Sequence, residues 1–362
     1  MKKDRVLKVA LFSKYTRMGA SSRLRSMQYL PFLEDEKIVV DVFPLYDNDY
    51  LHKLYASKGR STAKVLHRYL SRLYKLSALK KYDVIWIEKE LFPYLPAWAE
   101  ALMARLGKPY VVDYDDAVFH NYDLSNHKIV RLLLSNKINK VMRNAATVIA
   151  GNAYLAQRAA SSASKQVVII PTVLDNRRYQ AIEADNEIPI IGWIGSPTTE
   201  KYVLELKEMF LALKQTVSFK IHLIGATQQI QDKLQGLDVE VLPWSESTEA
   251  SYIEQFDIGI MPLIDGPWER GKCGYKLLQY MACAKPVVAS PVGVNIDIID
   301  SCQCGYLANS AEQWKTSLNK LLQSKQQRQL LGEAGKKSVR DFYSLQVQAP
   351  LLADVFKLVS HR

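Results

Sequence analysis

The chain has 362 residues, 48% hydrophobic and 23% charged, long for one domain and sufficient for two hydrophobic cores. The composition is globular, with no Pro/Gly-rich or Ser-rich tract that reads as disordered, and it excludes collagen-like, coiled-coil and mini-protein classes. Residues 1–180 hold 30 Lys/Arg against 16 Asp/Glu (+14) and residues 181–362 hold 18 against 21 (−3), so the net +11 belongs to the first half and points to an anionic partner.

The N-terminal run MKKDRVLKVALFSKY lacks the apolar stretch and cleavage site of a leader and reads as a strand over 6–12 entering a loop. No window approaches the ~20 apolar residues needed to span a bilayer, so the expectation is a soluble, cytoplasmic protein, at most peripheral at a membrane surface. Further strands are predicted at 38–43, 83–87, 110–113, 147–150 and 167–170, with helical patterns at 22–33, 62–79, 94–106, 128–143 and 154–160. A polar stretch at 171–187 suits a linker. Strands then resume at 188–194, 219–224, 239–242, 258–261, 286–289 and 305–308, with helices at 200–214, 250–256, 275–282, 311–322, 326–341 and 345–358. Continuous apolar strands alternating with helices predict an α/β protein with two doubly wound, Rossmann-like domains. The expected division is 1–172, a linker at 173–187, and 188–342, with a helix at about 343–362 packing back on the first domain. Ligands of such sheets bind beyond the carboxyl ends of the strands, and two such domains facing each other would share a cleft. Cys273, Cys283, Cys302 and Cys304 match no zinc spacing and read as free thiols.

The richest stretch is 268–295. After the strand 258–261, a loop and helix start hold Arg270, Lys272 and Lys276 with Gly271 and Gly274, and a helix begins near Tyr275. Glycines admit backbone N–H groups to a ligand, and helix starts attract anions, so a diphosphate site is favoured over a solvated basic loop. This stretch resembles the donor-binding signature of retaining glycosyltransferases of the GT-B fold, specifically glycosyltransferase family four. The run Gln279-Tyr-Met-Ala-Cys-Ala-Lys-Pro-Val-Val-Ala-Ser290 carries the resemblance, and Pro291 to Asn295 continues it. Residues 191–196, 257–263, 19–23, 148–152 and 170–175 add weaker points of likeness, so it spans most of the chain.

The resemblance implies a nucleoside-diphosphate-sugar donor in the second half and an acceptor in the first. It implies donor contacts from Gly195, Ser196, Gly274, Tyr275 and Gln279, and from Gly19 and Arg23 in the first half. It also implies charge stabilisation by Lys201, Arg270, Lys272 and Lys276, no metal or other cofactor, and proton transfer through the leaving phosphate. Two departures stand out. The family's ribose-binding glutamate is Gln279 here, and its other glutamate falls on Gly271, with Glu269 as the nearest substitute. The family's arginine after the donor glycine is Ser196, while Lys201 matches the lysine that follows it. Trp244, closing the strand 239–242, is open to base stacking or to a core role.

In the first half, Asp113-Tyr-Asp115-Asp116 follows a strand and admits a metal pair, helix capping by Asp115 or Asp116, or an acceptor-side role. By resemblance His120 contacts the donor sugar and the aspartates lie near the acceptor hydroxyl. Arg23 and Arg25 follow the Gly19 turn at a helix start, where Arg23 reads either as a ligand of the phosphates or the acceptor, or as part of a solvated first turn. Residues 51–82 hold nine Lys/Arg and no acid, with Val65, Leu66, Tyr69, Leu70, Leu73 and Tyr74 interleaved at helical spacing. That pattern suits an anionic membrane surface first, a solvated face next, and nucleic acid last. The function expected is retaining sugar transfer to a glycan or lipid-linked acceptor in surface polysaccharide synthesis. A non-catalytic sugar-nucleotide or polysaccharide-binding protein is the alternative. A nicotinamide dehydrogenase is disfavoured, because no G-x-G-x-x-G follows the first strand.

Overall fold

A computed structural model of the chain describes residues 5–55, 62–182 and 184–361. Contacts divide it into two units. The first comprises Met1–Thr172, Gly271–Cys273 and Gln348–Arg362, and the second Val173–Arg270 and Gly274–Val347. The second unit thus begins at Val173 without a separate linker, and the chain joins the first unit again at Gln348.

The first unit holds β1 (Leu7–Phe12), β2 (Ile38–Val42), β3 (Val84–Glu88), β4 (Tyr110–Tyr114), β5 (Thr147–Ala150) and β6 (Val167–Ile169) in the order β2-β1-β3-β4-β5-β6. The second holds β7 (Ile190–Ile194), β8 (Lys220–Ile224), β9 (Val239–Leu242), β10 (Ile258–Met261), β11 (Val287–Ala289) and β12 (Gly305–Leu307) in the order β12-β11-β10-β7-β8-β9. Every pairing is parallel. The central strands β3, β4, β7 and β10 are buried along their whole length, as expected of parallel strands covered by helices on both faces.

Alternation along β7 shows the two layers. Ile190 and Ile194 join an apolar cluster with Phe256, Leu278 and Tyr280, while Ile191 and Trp193 join another with Phe210 and Leu318. Gly192 faces the first cluster, and a Cβ there would lie 1.9 Å from the Phe256 ring, so only glycine fits. In the first unit the C-terminal helix Leu345–Ser360 contributes Phe356, edge-on to Trp86 at 5.0 Å, and Lys357, paired with Glu36 at 2.6 Å.

Several helices differ from expectation. The 200–214 pattern splits into Lys201–Leu204 and Lys207–Lys214, and 128–143 into Lys128–Leu134 and Lys137–Asn144, broken at Ser135-Asn136. The 22–33 pattern is two short helices, Ala20–Arg25 and Leu30–Asp35, around a 3-10 turn. Sequence periodicity also misses the helices Asn48–Tyr55, Ile230–Lys233, Pro267–Arg270 and Val294–Cys302.

Strand order locates the switch point of each sheet. The chain leaves β1 toward β2 on one side and returns to β3 on the other, and it treats β7, β8 and β10 in the same way. Beyond the carboxyl ends of β1/β3 and of β7/β10 lie the two topological switch points, where doubly wound sheets open a crevice.

Candidate functional site

At the β7/β10 switch point the two strands diverge around one side chain. Tyr280 accepts from the Ile194 N–H (2.9 Å) and donates to the Ile260 carbonyl (3.2 Å), so its hydroxyl satisfies both strand ends where their ladder stops. Gly195 follows β7, its N–H bonded to the Ile224 carbonyl, and a Cβ on Gly225 (φ +78) would meet the Gly195 carbonyl at 2.5 Å. The turn then closes on itself: the Ser196 N–H donates to Thr199 Oγ1 (3.1 Å), and its hydroxyl lies 2.9 Å from that of Thr198.

Gly274, in the left-handed conformation (φ +66), is the N-cap of the helix Tyr275–Ala282, and no side chain caps that start. Its first turn presents Lys276, whose ammonium sits 4.5 Å from the centre of the Trp193 ring. Lys201 is exposed at the start of its helix, over the Tyr202 ring at 5.1 Å. Arg270 pairs with Asp265 through two bonds of 2.7 and 2.9 Å, both residues exposed. Glu269 accepts from the Tyr202 hydroxyl at 2.5 Å. Lys272 falls in the segment Gly271–Cys273 that groups with the first unit.

Trp244 is 38% exposed beyond β9, so the core reading does not hold. Its indole N–H donates to Glu249 Oε2 (2.8 Å). Glu249 is buried and gathers further donors on Oε1: the Tyr179 hydroxyl (3.2 Å) and Arg178 Nη2 (3.2 Å). Gln279, also buried, donates to the same Tyr179 hydroxyl (3.1 Å), which lies 3.4 Å from that of Tyr275. Sequence reasoning missed Glu249 and Tyr179, because the bonds that join them span about seventy residues.

In the first unit Gly19 caps the helix Ala20–Arg25, and a Cβ on it would lie 2.5 Å from that of Tyr15. Arg23 and Arg25 are both buried, which overturns the solvated-turn reading. Arg25 grips Asp113 through two bonds (2.9 and 3.2 Å) and also donates to the Ile170 carbonyl (3.0 Å). Arg23 Nη1 donates to the Arg17 carbonyl (3.3 Å).

Asp115 and Asp116 cap no helix: Phe119 precedes the helix His120–Asp123, with no side-chain cap. Both aspartates face the ammonium of Lys89, at 2.8 and 3.4 Å. Burial alone would lower the Lys89 pKa, but the two carboxylates outweigh it and hold the ammonium charged. Burial pushes Asp116 up, whereas Lys89 overcomes burial at Asp115 and keeps it low. His120 uses both ring nitrogens, Nδ1 on Asp123 (2.8 Å) and Nε2 on the Tyr154 hydroxyl (2.9 Å). Among the described residues, no group of three or more His, Cys, Asp or Glu is placed to hold a metal ion.

The basic run is only partly a surface. Lys58 and Arg60 lie outside the described residues. On the helix Thr62–Leu76, Arg72 is buried and donates to the carbonyls of Leu91 (3.1 Å), Phe43 (2.8 Å) and Ser13, and burial pushes its pKa down to about 10. Lys64 and Arg68 pair with Asp49 and Asp47. The helix nonetheless exposes Leu66, Leu70, Leu73 and Tyr74, and the helix Lys128–Leu134 exposes Ile129, Leu132 and Leu133 by 70% or more. Among the described residues, no helix is long and apolar enough to cross a membrane.

Residues 188–324 match the family model described as glycosyl transferases group 1. No curated protein matches the chain. Among solved structures the chain is similar to sucrose-phosphate synthase from Thermosynechococcus elongatus, at 16% identity over 98% of this chain and 99% of that one, with a TM-score of 0.74. It is also similar to HepE from Anabaena, solved in complex with UDP, at 13% identity over 97% and 99% of the two chains, with a TM-score of 0.70. A third likeness is to WaaG, a glycosyltransferase involved in lipopolysaccharide biosynthesis, at 12% identity over 96% and 99%, with a TM-score of 0.66. At such identities the likeness is one of fold, and the fold is GT-B.

Proposed function

We propose that this chain, a GT-B protein whose residues 188–324 match the family model of group 1 glycosyl transferases, is a retaining glycosyltransferase. It moves a sugar from a nucleoside diphosphate sugar to a hydroxyl of a glycan or lipid-linked acceptor, in surface polysaccharide synthesis. The observation that carries the donor reading is the β7/β10 switch point: a tight Ser196 turn, the uncapped helix start at Gly274 and the Lys276 ammonium, all in one unit. Orphan N–H groups and fixed cations there suit a diphosphate.

As the glycosidic bond breaks, negative charge grows on the departing phosphate oxygen. Lys201, Arg270, Lys272, Lys276 and the N–H groups at Gly274 and Tyr275 stabilise it. One well-aimed donor is worth ~3–4 kcal/mol to such a step. Trp244 offers the base a ring held at its indole nitrogen by Glu249. Gln279 and the Tyr179 hydroxyl serve the ribose, and Glu269 serves the donor sugar. On the acceptor side the groups are Asp115 and Asp116, with His120 pinned in one orientation by Asp123 and Tyr154. The departing phosphate takes the acceptor proton on the face from which it leaves, which retains configuration and requires no metal. The protein works at the cytoplasmic face of an anionic membrane. The apolar residues exposed beside Lys64, Lys75, Lys128 and Arg131 support that placement.

The test is a panel of nucleotide sugars in a thermal-shift assay, starting with UDP sugars because HepE was solved with UDP. A ligand at about a hundred times its dissociation constant should add ~2.7 kcal/mol. Stabilisation by a nucleoside diphosphate sugar, and not by its nucleoside, is the expected result. No shift with any donor would overturn the reading.

A further inference from the structure

Gly151 and Asn152 follow β5, and the residues that meet them come from far along the chain. The segment Gly271–Cys273 leaves the second unit after Arg270, packs into the first, and returns at Gly274. A Cβ on Gly271 would lie 2.5 Å from that of Ala117, and a Cβ on Gly151 would lie 2.4 Å from Cys273 Sγ. Glycine at both positions lets the segment lie against the turns after β4 and β5. Cys273 Sγ donates to the Asp115 carbonyl (3.1 Å). Asn152, 4% exposed, supplies the remaining bonds. Its amide nitrogen donates to the carbonyls of Gly271 (3.0 Å) and Lys272 (2.9 Å). Its oxygen accepts from the Leu155 N–H (2.9 Å) and so caps the helix Ala153–Ser161. These bonds leave the amide one orientation, because turned over it would set its oxygen against two carbonyls and its NH2 against the Leu155 N–H. A helix cap needs only the oxygen, which aspartate or serine supplies equally well. The amide nitrogen is surplus to capping, and its bonds all go to the segment that carries Lys272.

We propose that Asn152 is a positioning residue for sugar transfer: its amide fixes the backbone from which the Lys272 ammonium serves the donor diphosphate. The proposal rests on the donor reading and adds to it a residue of the first unit. A lysine carries its charge on a long, freely rotating stem, so that charge is concentrated at one place only where its backbone is held. The Lys272 charge also acts on Asp116 and favours its ionised form. Two anions, that carboxylate and a phosphate, therefore compete for one ammonium, and the place of its backbone decides which it serves. Two successive carbonyls on one nitrogen make the hold firm. The segment cannot turn about the Gly271–Lys272 peptide without giving up these bonds, and a buried carbonyl left without a donor is costly. The Cys273 thiol fastens the far end of the same segment to the Asp115 carbonyl.

The experiment uses the full chain with Asn152→Ser and Asn152→Asp, which keep an oxygen for the Leu155 N–H and lose the amide donors. Labelling of the cysteines by a disulfide reagent, read by mass spectrometry, needs no nucleotide. Cys273 should label about ten-fold faster in each variant than in wild type, because its thiol leaves the Asp115 carbonyl with the segment. The buried Cys283 and Cys304 should stay as slow as in wild type, which is the folding control. Calorimetric titration with UDP, ADP and GDP then follows whichever binds wild type. Asn152→Ser, which adds no charge, should weaken it about five-fold or more, the scale of a charge-assisted contact. Placed in Lys272→Ala, the same serine should weaken it by less than about two-fold, since the two residues act as one. Cys273 labelling unchanged in both variants would overturn the proposal. So would nucleotide affinity unchanged in Asn152→Ser, or losses that add in full in the double variant. Wild type that binds none of the three nucleotides overturns the donor reading and the positioning role with it, whereas unchanged affinity in Asn152→Ser overturns the positioning role alone.

Discussion

Removing the Glu249 carboxylate should loosen the cluster it forms with Trp244, Tyr179 and Arg178 in the second unit. Glu249 is buried, and its two oxygens take three donors: the Trp244 indole at 2.8 Å, and the Tyr179 hydroxyl and Arg178 guanidinium at 3.2 Å each. Glu249→Ala leaves a half-buried guanidinium, a buried hydroxyl and an indole N–H without that acceptor. Leaving buried donors without their acceptor costs about 1–3 kcal/mol each; Arg178 keeps the Glu246 carbonyl, and water reaching the half-exposed Trp244 offsets part of the loss. Glu249→Gln keeps one carbonyl oxygen and should lose about half as much. The assay is urea denaturation followed by tryptophan fluorescence, with UDP titrated into each folded variant. We expect Glu249→Ala to lose about 2–3 kcal/mol, on the scale of buried donors left without their acceptor, and its UDP affinity to fall as the Trp244 ring loses its anchor. A variant within about 0.5 kcal/mol of the parent, the range typical of surface changes, would refute the reasoning.

Lys276→Ala and Lys201→Ala should each weaken diphosphate binding by roughly 1–3 kcal/mol, the scale of a charge-assisted hydrogen bond, as read by calorimetric titration with UDP. Arg72→Met strands the Leu91, Phe43 and Ser13 carbonyls and should cost about 3 kcal/mol or more by urea denaturation, too much for a membrane-facing cation. Burial pushes the Cys273 and Cys304 thiols up to about 12, so at pH 8 both should react with a disulfide reagent only once the chain is unfolded. Leu132→Asp with Leu133→Asp should abolish cosedimentation with anionic liposomes and leave the melting temperature unchanged, since both side chains are exposed.

All twelve strands were legible as short runs rich in apolar and β-branched residues, continuous in the central strands that are buried on both faces, and their ends moved by one or two residues only. Helix continuity was less so. Ser135 and Asn136, residue types of low helix propensity, interrupt the 128–143 pattern between Lys128–Leu134 and Lys137–Asn144, and Val294–Cys302 is rich in β-branched residues, which weaken a helical signal. The glycine turn at Gly195, the helix start at Gly274 and the cations around it were visible as a local motif. Glu249 was not, since a single acid in a first helical turn looks like an ordinary response to the helix dipole. The Glu88-Lys89-Glu90 run was equally opaque. Three charges in a row signal solvent until the fold brings Ser22, Asp115 and Lys137 to them from residues 66, 26 and 47 positions away.

The central claim is transfer of a sugar with retention, and the anomeric proton tests it most directly. The nucleotide sugar that stabilises the protein is incubated with enzyme, EDTA and a neutral glycoside acceptor, and the new anomeric signal is followed by proton NMR from the first minutes. The account predicts consumption of the donor and a product whose anomeric coupling matches that of the donor, at a rate unchanged by EDTA. A product of inverted configuration, a donor left intact, or turnover that returns only on adding Mg²⁺ or Mn²⁺ would contradict it.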